Sequence, residues 1–202
     1  TLPGGIKAIE AGAFGYCEDM ETIVLPDSLE TIGNYAFAHC KNLEHIILPD
    51  TLKEIGTEAF SFCGKIKKIS IPSGIEVVSE RVFYFCFGLE SVTIPNGVVS
   101  IEDSAFFRCS RLLNITIPDG VERVGGLAFQ DCDSLVSIYL PESVRFIEKS
   151  VFGNRIFSKY TLVAFGTSGS YAETWANNNS IKFVVESKES FAEHEDFVVV
   201  NG

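Results

Sequence analysis

Apolar residues along this chain follow neither the 3.6-residue period of a helix nor the sustained alternation of a long strand. In "FAHCKNLEHIILP", residues 37–49, Phe, Cys, Leu, Ile and Pro stand at uneven gaps, and closely similar lines recur along the chain. A pattern that matches no single element but recurs at a fixed step indicates a structural repeat. The sequence therefore predicts a repeat unit before it predicts any one helix or strand.

The step is 23 residues, and three residue types keep it independently. All prolines, all cysteines and one phenylalanine in each repeat, preceded by Ala or Val, obey it. The prolines are Pro3, Pro26, Pro49, Pro72, Pro95, Pro118 and Pro141; the phenylalanines are Phe14, Phe37, Phe60, Phe83, Phe106, Phe129 and Phe152; the cysteines are Cys17, Cys40, Cys63, Cys86, Cys109 and Cys132. A fixed period of this length indicates a solenoid of stacked repeats.

Each position of the repeat has a physical interpretation. "NLEHIILP" predicts a short strand with Ile46 inward and His45 and Ile47 outward, because successive side chains alternate across a strand. Pro49 ends the strand, since it has no N–H to donate to a ladder. "TEAF" then predicts a short helical or 3-10 turn that brings Phe60 onto the opposite, convex side.

Stacking places equal positions of neighbouring repeats about 4.8 Å apart at the sheet. The predicted fold class is an α/β repeat solenoid: a right-handed arc with a parallel concave β-sheet and short helical or 3-10 turns on the convex side. Its interior would hold a column of Phe and a column of Cys. One repeat cannot bury its own apolar face, so contacts between repeats must supply most of the stability.

The repeated line C-x-x-L-x-x-I-x-L-P-x-x-L-x-x-I-x-x-x-A-F-x-x-C resembles the BspA-like, or treponemal-type, leucine-rich-repeat family. The resemblance covers residues 2 to about 165, and the chain lacks the Asn ladder of commoner leucine-rich repeats. It implies a leucine-rich-repeat arc in a bacterial or protist protein that is secreted or held at the cell surface. It also implies adhesion to host proteins, to other cells or to matrix.

The first predicted domain, residues 1–165, consists of seven 23-residue leucine-rich repeats. In the seventh repeat Arg155 stands where Cys is expected, and the strand pattern weakens after it. The array is therefore predicted to end there. The outward strand columns are expected to finish at Tyr160 and Leu162, one 23-residue step after the sixth repeat.

Residues 166–186 are predicted to form a C-terminal cap, a short helix over Tyr171–Asn178 and a strand over Ile181–Val185. Ser170 and Glu173 have the spacing of a capping box, which marks a helix start. Terminal repeats need such a cap to close their open apolar end. Residues 187–202 are predicted to be a linker with the possible start of a further module; a frayed terminus is the alternative.

Composition narrows the function classes. The formal net charge is −11, whereas nucleic acid and anionic membrane surfaces require clustered Lys and Arg. No apolar run has the length of a membrane-spanning helix. The sequence therefore predicts no nucleic acid partner and no direct membrane insertion. The chain opens in mid-pattern without a signal peptide, which indicates a mature or trimmed segment.

The cysteines and histidines give no catalytic or metal constellation. Stacked equivalent Cys side chains run parallel, whereas a disulfide needs a dihedral angle of about 90°, so thiols are predicted in one repeated niche. A 23-residue column offers no zinc-ligand spacing, and no cofactor is predicted. His39 precedes Cys40 directly, so their side chains diverge, and an exposed convex His is expected rather than a nucleophile pair. The prediction is a non-enzymatic protein.

Outward residues of the concave sheet are the first candidate binding surface, with Tyr139 as the best single anchor. They are His45, Ile47, Lys68, Ser70, Ser91, Thr93, Asn114, Thr116, Ser137 and Tyr139. The alternative is a merely solvated Thr- and Ser-rich face. The second candidate is a convex aromatic patch, whose alternative is folding against neighbouring turns. Its residues are Phe62, Tyr84, Phe85, Phe87 and Phe107.

The function predicted is a protein-interaction module, extracellular or at the cell surface, which adheres to a protein or glycoprotein partner through the concave sheet. A monomer is favoured. The alternative is a passive spacer or targeting arm of a larger multi-domain surface protein.

Overall fold

Each 23-residue repeat adds one coil with two short parallel strands to a β-solenoid of about seven turns. The structure is a computed structural model, which describes residues 2–153 and 160–194. The parallel-sheet solenoid predicted from the repeat is confirmed by the strand pairing. The right hand of the solenoid stays a prediction.

One column of strands follows the Leu of each repeat, and we call it the main sheet. Its strands are β2 (Thr22–Ile23), β4 (His45–Ile46), β6 (Lys68–Ser70), β8 (Ser91–Thr93), β10 (Asn114–Thr116), β12 (Ser137–Leu140), β14 (Val163–Gly166) and β15 (Lys182–Val185). Every hydrogen-bonded pair within it is parallel and in register, as in the pairing of Ile115 with Ile138. In each strand from β2 to β12 the residue equivalent to Ile115 points inward, and all of these residues except the half-buried Val92 are buried.

A second column of parallel strands lies after the Pro of each repeat, and the sequence analysis did not predict it. Its strands are β1 (Ala8–Ile9), β3 (Thr31–Ile32), β5 (Glu54–Ile55), β7 (Val77–Val78), β9 (Ser100–Ile101), β11 (Arg123–Val124) and β13 (Phe146–Ile147). Each contributes one buried aliphatic residue. Two residues are too few to show an alternating pattern, which is why the sequence gives no strand signal there.

The phenylalanines at 23-residue steps form a stacked column, which we call the Phe spine. Neighbouring ring centroids lie 5.3 to 6.0 Å apart from Phe14 to Phe152. The rings from Phe37 to Phe129 are completely buried, whereas Phe14 is half-buried because no ring covers its outer side in the described residues. The predicted column of Phe is confirmed.

The buried cysteines have a hydrogen-bonding role in addition to filling space. The thiol of each donates to the backbone carbonyl of the spine Phe in the preceding repeat, as in Cys63 to Phe37 and Cys86 to Phe60, both at 3.1 Å. No two of the six cysteines, all of which lie in the described ranges, form a disulfide. Cys17 alone is exposed.

The turns around the spine are not helical in the described residues, so the predicted helical or 3-10 turns are not confirmed. Residues two before and two after a spine Phe adopt left-handed conformations, for example Glu58 (φ 54°) and Phe62 (φ 60°). A right-handed helical turn cannot contain them. Their N–H groups donate to the next repeat instead, Glu58 to the Glu80 carbonyl (3.1 Å) and Phe62 to the Tyr84 carbonyl (2.7 Å).

The number of residues between paired positions of the main sheet changes after β12. β14 pairs with β12 so that Tyr139 lies beside Phe165, 26 residues on rather than 23. The expectation that the outward columns end at Tyr160 and Leu162 is therefore wrong. Three additional residues in this coil shift the strand, so that Ala164 occupies the buried inward position.

The C-terminal helix is confirmed at the predicted residues, α1 (Tyr171–Asn178). Its first turn is capped by Ser170, whose hydroxyl accepts a hydrogen bond from the Glu173 N–H (3.2 Å). Trp175 is buried and packs against Phe152, so α1 covers the last ring of the spine. The predicted final strand is observed as β15, which begins one residue later than expected.

A second helix, α2 (Lys188–His194), lies within the segment that the sequence analysis predicted to be a linker. Its Phe191 is 1% exposed. The possible further module over the last residues falls outside the described ranges. The domain boundaries at 165 and 186 stay a prediction.

Candidate functional site

The outward side of the main sheet, which we call the main-sheet face, is uncovered in the first four repeats. Val24 and Ile47, which directly follow the neighbouring strands β2 and β4, are 57% and 84% exposed. His45 and Lys68 are exposed beside them in the other outward column. Paired strands hold these side chains at fixed spacing, so they form a preordered apolar centre with basic neighbours.

The middle of the main-sheet face is polar and less exposed. Ser70 and Thr93 remain exposed, whereas Ser91, Asn114 and Thr116 are half-buried. The predicted outward orientation of these residues agrees with the pairing of Lys68 with Ser91 and of Asn114 with Ser137. The face therefore grades from open at the N-terminal end to covered at the C-terminal end.

The C-terminal end of the face is closed by α2, and the predicted site residue Tyr139 lies beneath it. Ser137 is fully buried and Tyr139 is 5% exposed, so the expectation that Tyr139 is an accessible anchor is wrong. Phe191 of α2 packs on both Tyr139 and Phe165, with ring centroids 5.7 and 5.0 Å away. The sequence analysis missed this contact because it joins positions far apart in the chain.

Charged and polar groups at the edge of the main sheet also hold α2. The Lys188 ammonium lies 3.1 Å from the Asp119 carboxylate and donates to the Asn96 side-chain oxygen at 3.3 Å. Asn96 and Asp119 follow the prolines of adjacent repeats. Burial, with a further contribution from the Asp119 charge, raises the pKa of Tyr139 above its usual value.

Ion pairs between repeats line the side of the solenoid. Glu30 bridges two repeats, with its carboxylate oxygens 2.6 Å from the Lys53 ammonium and 2.8 Å from the Lys7 ammonium. These two hydrogen bonds lower the pKa of Glu30 to about 2. The positions are exposed, so the pairs orient charge between coils rather than form a catalytic site.

The predicted convex patch is assembled, but its members mainly cover one another. Phe62 stacks on Phe85 at 4.8 Å, and Tyr84 stacks on Phe107 at 4.9 Å, so all four rings are half-buried. Phe87 stands apart and is more than half exposed. The geometry agrees with the alternative in which these rings fold against neighbouring turns.

The stack of Phe62 on Phe85 continues into neighbouring repeats on both sides. His39 lies between the rings of Tyr16 and Phe62, at 4.5 and 4.3 Å, and is half-buried. The expected exposed convex His is therefore a stacked one. Arg108 closes the column over Phe85 at 5.0 Å. This stack could have been predicted from the sequence, because its members all stand two positions after a spine Phe.

No described residues form an arrangement with evident acid–base or nucleophilic chemistry. The Cys40 thiol donates to the Phe14 carbonyl (3.1 Å) and not to His39. Burial raises the pKa of Cys86 to about 12 and that of Cys109 well above the ordinary value, so neither forms a thiolate near neutral pH. Within the described ranges, no group of three His, Cys, Asp or Glu side chains could hold a metal ion.

The repeat pattern places the chain in a known family. The family described as BspA type leucine rich repeat region matches residues 1–112 and 77–191, with six copies of its repeat unit. The chain therefore belongs to the BspA-type leucine-rich-repeat family. Proteins of this repeat class are typically binding proteins without enzymatic activity. Among curated proteins none matches the chain significantly.

Solved structures show the same fold. The T. pallidum leucine-rich repeat protein is 26% identical with a TM-score of 0.66, over 89% of this chain and 79% of that one. A leucine-rich repeat protein from Bacteroides ovatus is 25% identical with a TM-score of 0.62, over 93% of this chain. The match spans only 56% of the Bacteroides chain. A leucine-rich repeat protein from Eubacterium ventriosum shares the fold. It is 23% identical with a TM-score of 0.67, and the match covers 73% of this chain and 41% of that one.

Neither α1 nor α2 has the length and apolar character that a membrane crossing demands, and these are the helices in the part of the chain that the structure describes.

Proposed function

We propose that the chain is a non-enzymatic interaction module that binds a protein or glycoprotein partner through the open N-terminal half of the main-sheet face. The observation that carries the proposal is the strong exposure of Val24 and Ile47, which directly follow the paired strands β2 and β4. Isolated exposed aliphatics are common on protein surfaces, but a pair at equivalent positions of adjacent repeats on an extended face is typical of a binding anchor.

The surroundings of this pair favour a protein partner over a small molecule. His45, Lys68 and Ser70 supply hydrogen-bond donors and charge around the apolar centre, which is the arrangement of an interface core with a polar rim. The face extends across several repeats, whereas small ligands are usually enclosed in a cavity. Extended solenoid sheets serve as such interfaces.

The family resemblance supports a proposal for location and biological role. We propose that the module acts outside the cell or at its surface and adheres to host, matrix or cell-surface proteins. We also propose that it acts as a monomer, because the convex rings of Phe62, Phe85 and Phe107 cover one another rather than form an open apolar patch. No catalytic role is proposed.

A binding screen against matrix proteins, cell-surface glycoproteins and glycans tests the function. The unaltered chain is compared with Ile47→Ser and with the control Val99→Ser. The control removes an aliphatic side chain that is also exposed (47%) but lies outside the main sheet. We expect Ile47→Ser to lose at least about tenfold in affinity for a captured partner, and Val99→Ser to lose none. Equal binding by all three proteins, or no captured partner, would contradict the proposal.

A further inference from the structure

We propose that the main-sheet face recognises peptide segments in which a lysine precedes an aromatic or other large apolar residue by three positions. In this view α2 is such a segment bound within the chain, and the open pair Asp27 and Ile47 takes the same kind of segment from a partner. The inference rests on the proposed function, since it names the partner chemistry for the same face.

The contacts of α2 define the two elements of recognition. Lys188 and Phe191 are three residues apart, so they project from one face of the helix. Phe191 reaches Tyr139 and Phe165, which stand in the second outward column of the main sheet. Lys188 reaches Asp119, at the edge of the repeat before Tyr139. Ring contacts with Tyr139 and Phe165 and an ion pair with Asp119 thus hold the segment across neighbouring repeats.

A carboxylate and an apolar side chain occupy the equivalent repeat positions at the open end of the face. Asp27 stands four repeats before Asp119, and Ile47 stands four repeats before Tyr139. Asp27 and Ile47 are both exposed. In-register stacking gives equivalent positions equivalent geometry, so the carboxylate and the apolar side chain of the open site have the relative placement of those beneath α2.

A carboxylate beside an apolar side chain distinguishes this site from a surface that binds apolar groups without specificity. An exposed carboxylate beside an exposed aliphatic residue favours a segment that carries a cation and an apolar side chain on one face. A partner with basic and aromatic residues at this spacing therefore matches both elements.

A synthetic peptide with the sequence of residues 186–194, ESKESFAEH, tests the inference on the full chain. In a nuclear magnetic resonance titration up to millimolar peptide, we expect shifts at Asp27 and Ile47 and none at Tyr139, because α2 already occupies that end. The peptide with Ala in place of its Lys, and the chain with Ile47→Ser, should each weaken binding at least about tenfold. Absence of shifts at Ile47, or equal binding of the Ala peptide, would overturn the inference.

Release of α2 supplies an independent readout. In the full chain with Phe191→Ser, we expect the peptide to shift Asp119 and Tyr139 as well, and the stoichiometry to rise from one peptide to two. Lys188→Ala, which leaves Phe191 in place, repeats the test if Phe191→Ser unfolds. A stoichiometry that stays at one in both variants would contradict occupation of the site by α2. Partners captured in the screen that bind through Ile47 without this motif would refute the inference while leaving the proposed function intact.

Discussion

At the scale of single residues, the cysteine column shows why one residue type recurs in the repeat. The thiols of Cys63, Cys86 and Cys109 are buried and donate to a backbone carbonyl of the preceding repeat. Ala would leave that carbonyl without its donor, and Ser would bring a more strongly polar group into an apolar site. A small, weakly polar donor is what the position requires.

Thiol reactivity is predicted to follow burial along this column. Cys17 is exposed and should be alkylated by iodoacetamide at pH 8 in the native chain. Cys86 and Cys109 should remain unmodified, because burial blocks access and raises their pKa, to about 12 for Cys86. Mass spectrometry of the alkylated peptides gives the answer. Modification of Cys86 at the rate of Cys17, before unfolding, would contradict the buried column.

The titration of Glu30 is a second prediction at this scale. The Lys53 and Lys7 ammonium groups lower its pKa from 4.5 to about 2, so the carboxylate should still be ionised near pH 3. A lowered folded pKa means that any stabilisation is present above about pH 4.5 and is lost as the pH falls through about 2.

Side-chain carboxyl resonances measured against pH test this directly. The chain with Lys7→Ala and Lys53→Ala serves as control, and its Glu30 midpoint should return toward 4.5. High salt should shift the native midpoint in the same direction, because the pair is exposed. A native midpoint near 4.5 at low salt would show that the ion pairs between repeats do not form in solution.

At the scale of elements, the coil is held mainly by what it shares with its neighbours. The Phe spine stacks through the whole array, and the left-handed turns direct their N–H groups to the next repeat. The strands are only two to four residues long and would be unstable alone. Stability therefore depends on how many neighbours a repeat has.

Truncation of the spine is predicted to cost more in the middle than at the open end. Phe83 is fully buried between Phe60 and Phe106, at 5.8 and 5.5 Å, so Phe83→Ala should lower the free energy of unfolding by about 3–5 kcal/mol. Phe14 is half-buried and stacks on Phe37 only, so Phe14→Ala should cost clearly less. Denaturant titrations of both variants measure the difference. Equal losses would refute the stacked spine.

The elements also show what a sequence of this kind can predict. The main-sheet strands, the Phe and Cys columns and α1 follow from residue types that recur or cap in a recognisable pattern. The second strand column has two-residue strands without alternation, so no pattern marks it. The left-handed turns are occupied by Tyr, Glu, Phe and Arg, residues that do not ordinarily signal such a conformation, so a helical turn was the natural but unconfirmed expectation.

At the scale of the whole molecule, the main-sheet face is one continuous surface with an open end and a covered end. The outward orientation of its residues could be predicted from period-2 alternation, but their accessibility could not. Tyr139 is buried because Phe191 of α2 packs on it, and the longer step to Phe165 changes the neighbour of Tyr139. Both effects depend on long-range packing that leaves no local pattern.

Whether the main-sheet face is the binding surface is tested by a hydrogen-exchange footprint of the full chain with a partner captured in the screen. We predict slowed exchange at β4, β6 and β8, over His45–Ile46, Lys68–Ser70 and Ser91–Thr93, where the main-sheet face is open. The second-column strands β5 and β7 should exchange as in the free chain. Protection confined to β5, β7 or the turns around Phe62, with the main sheet unchanged, would contradict the central claim.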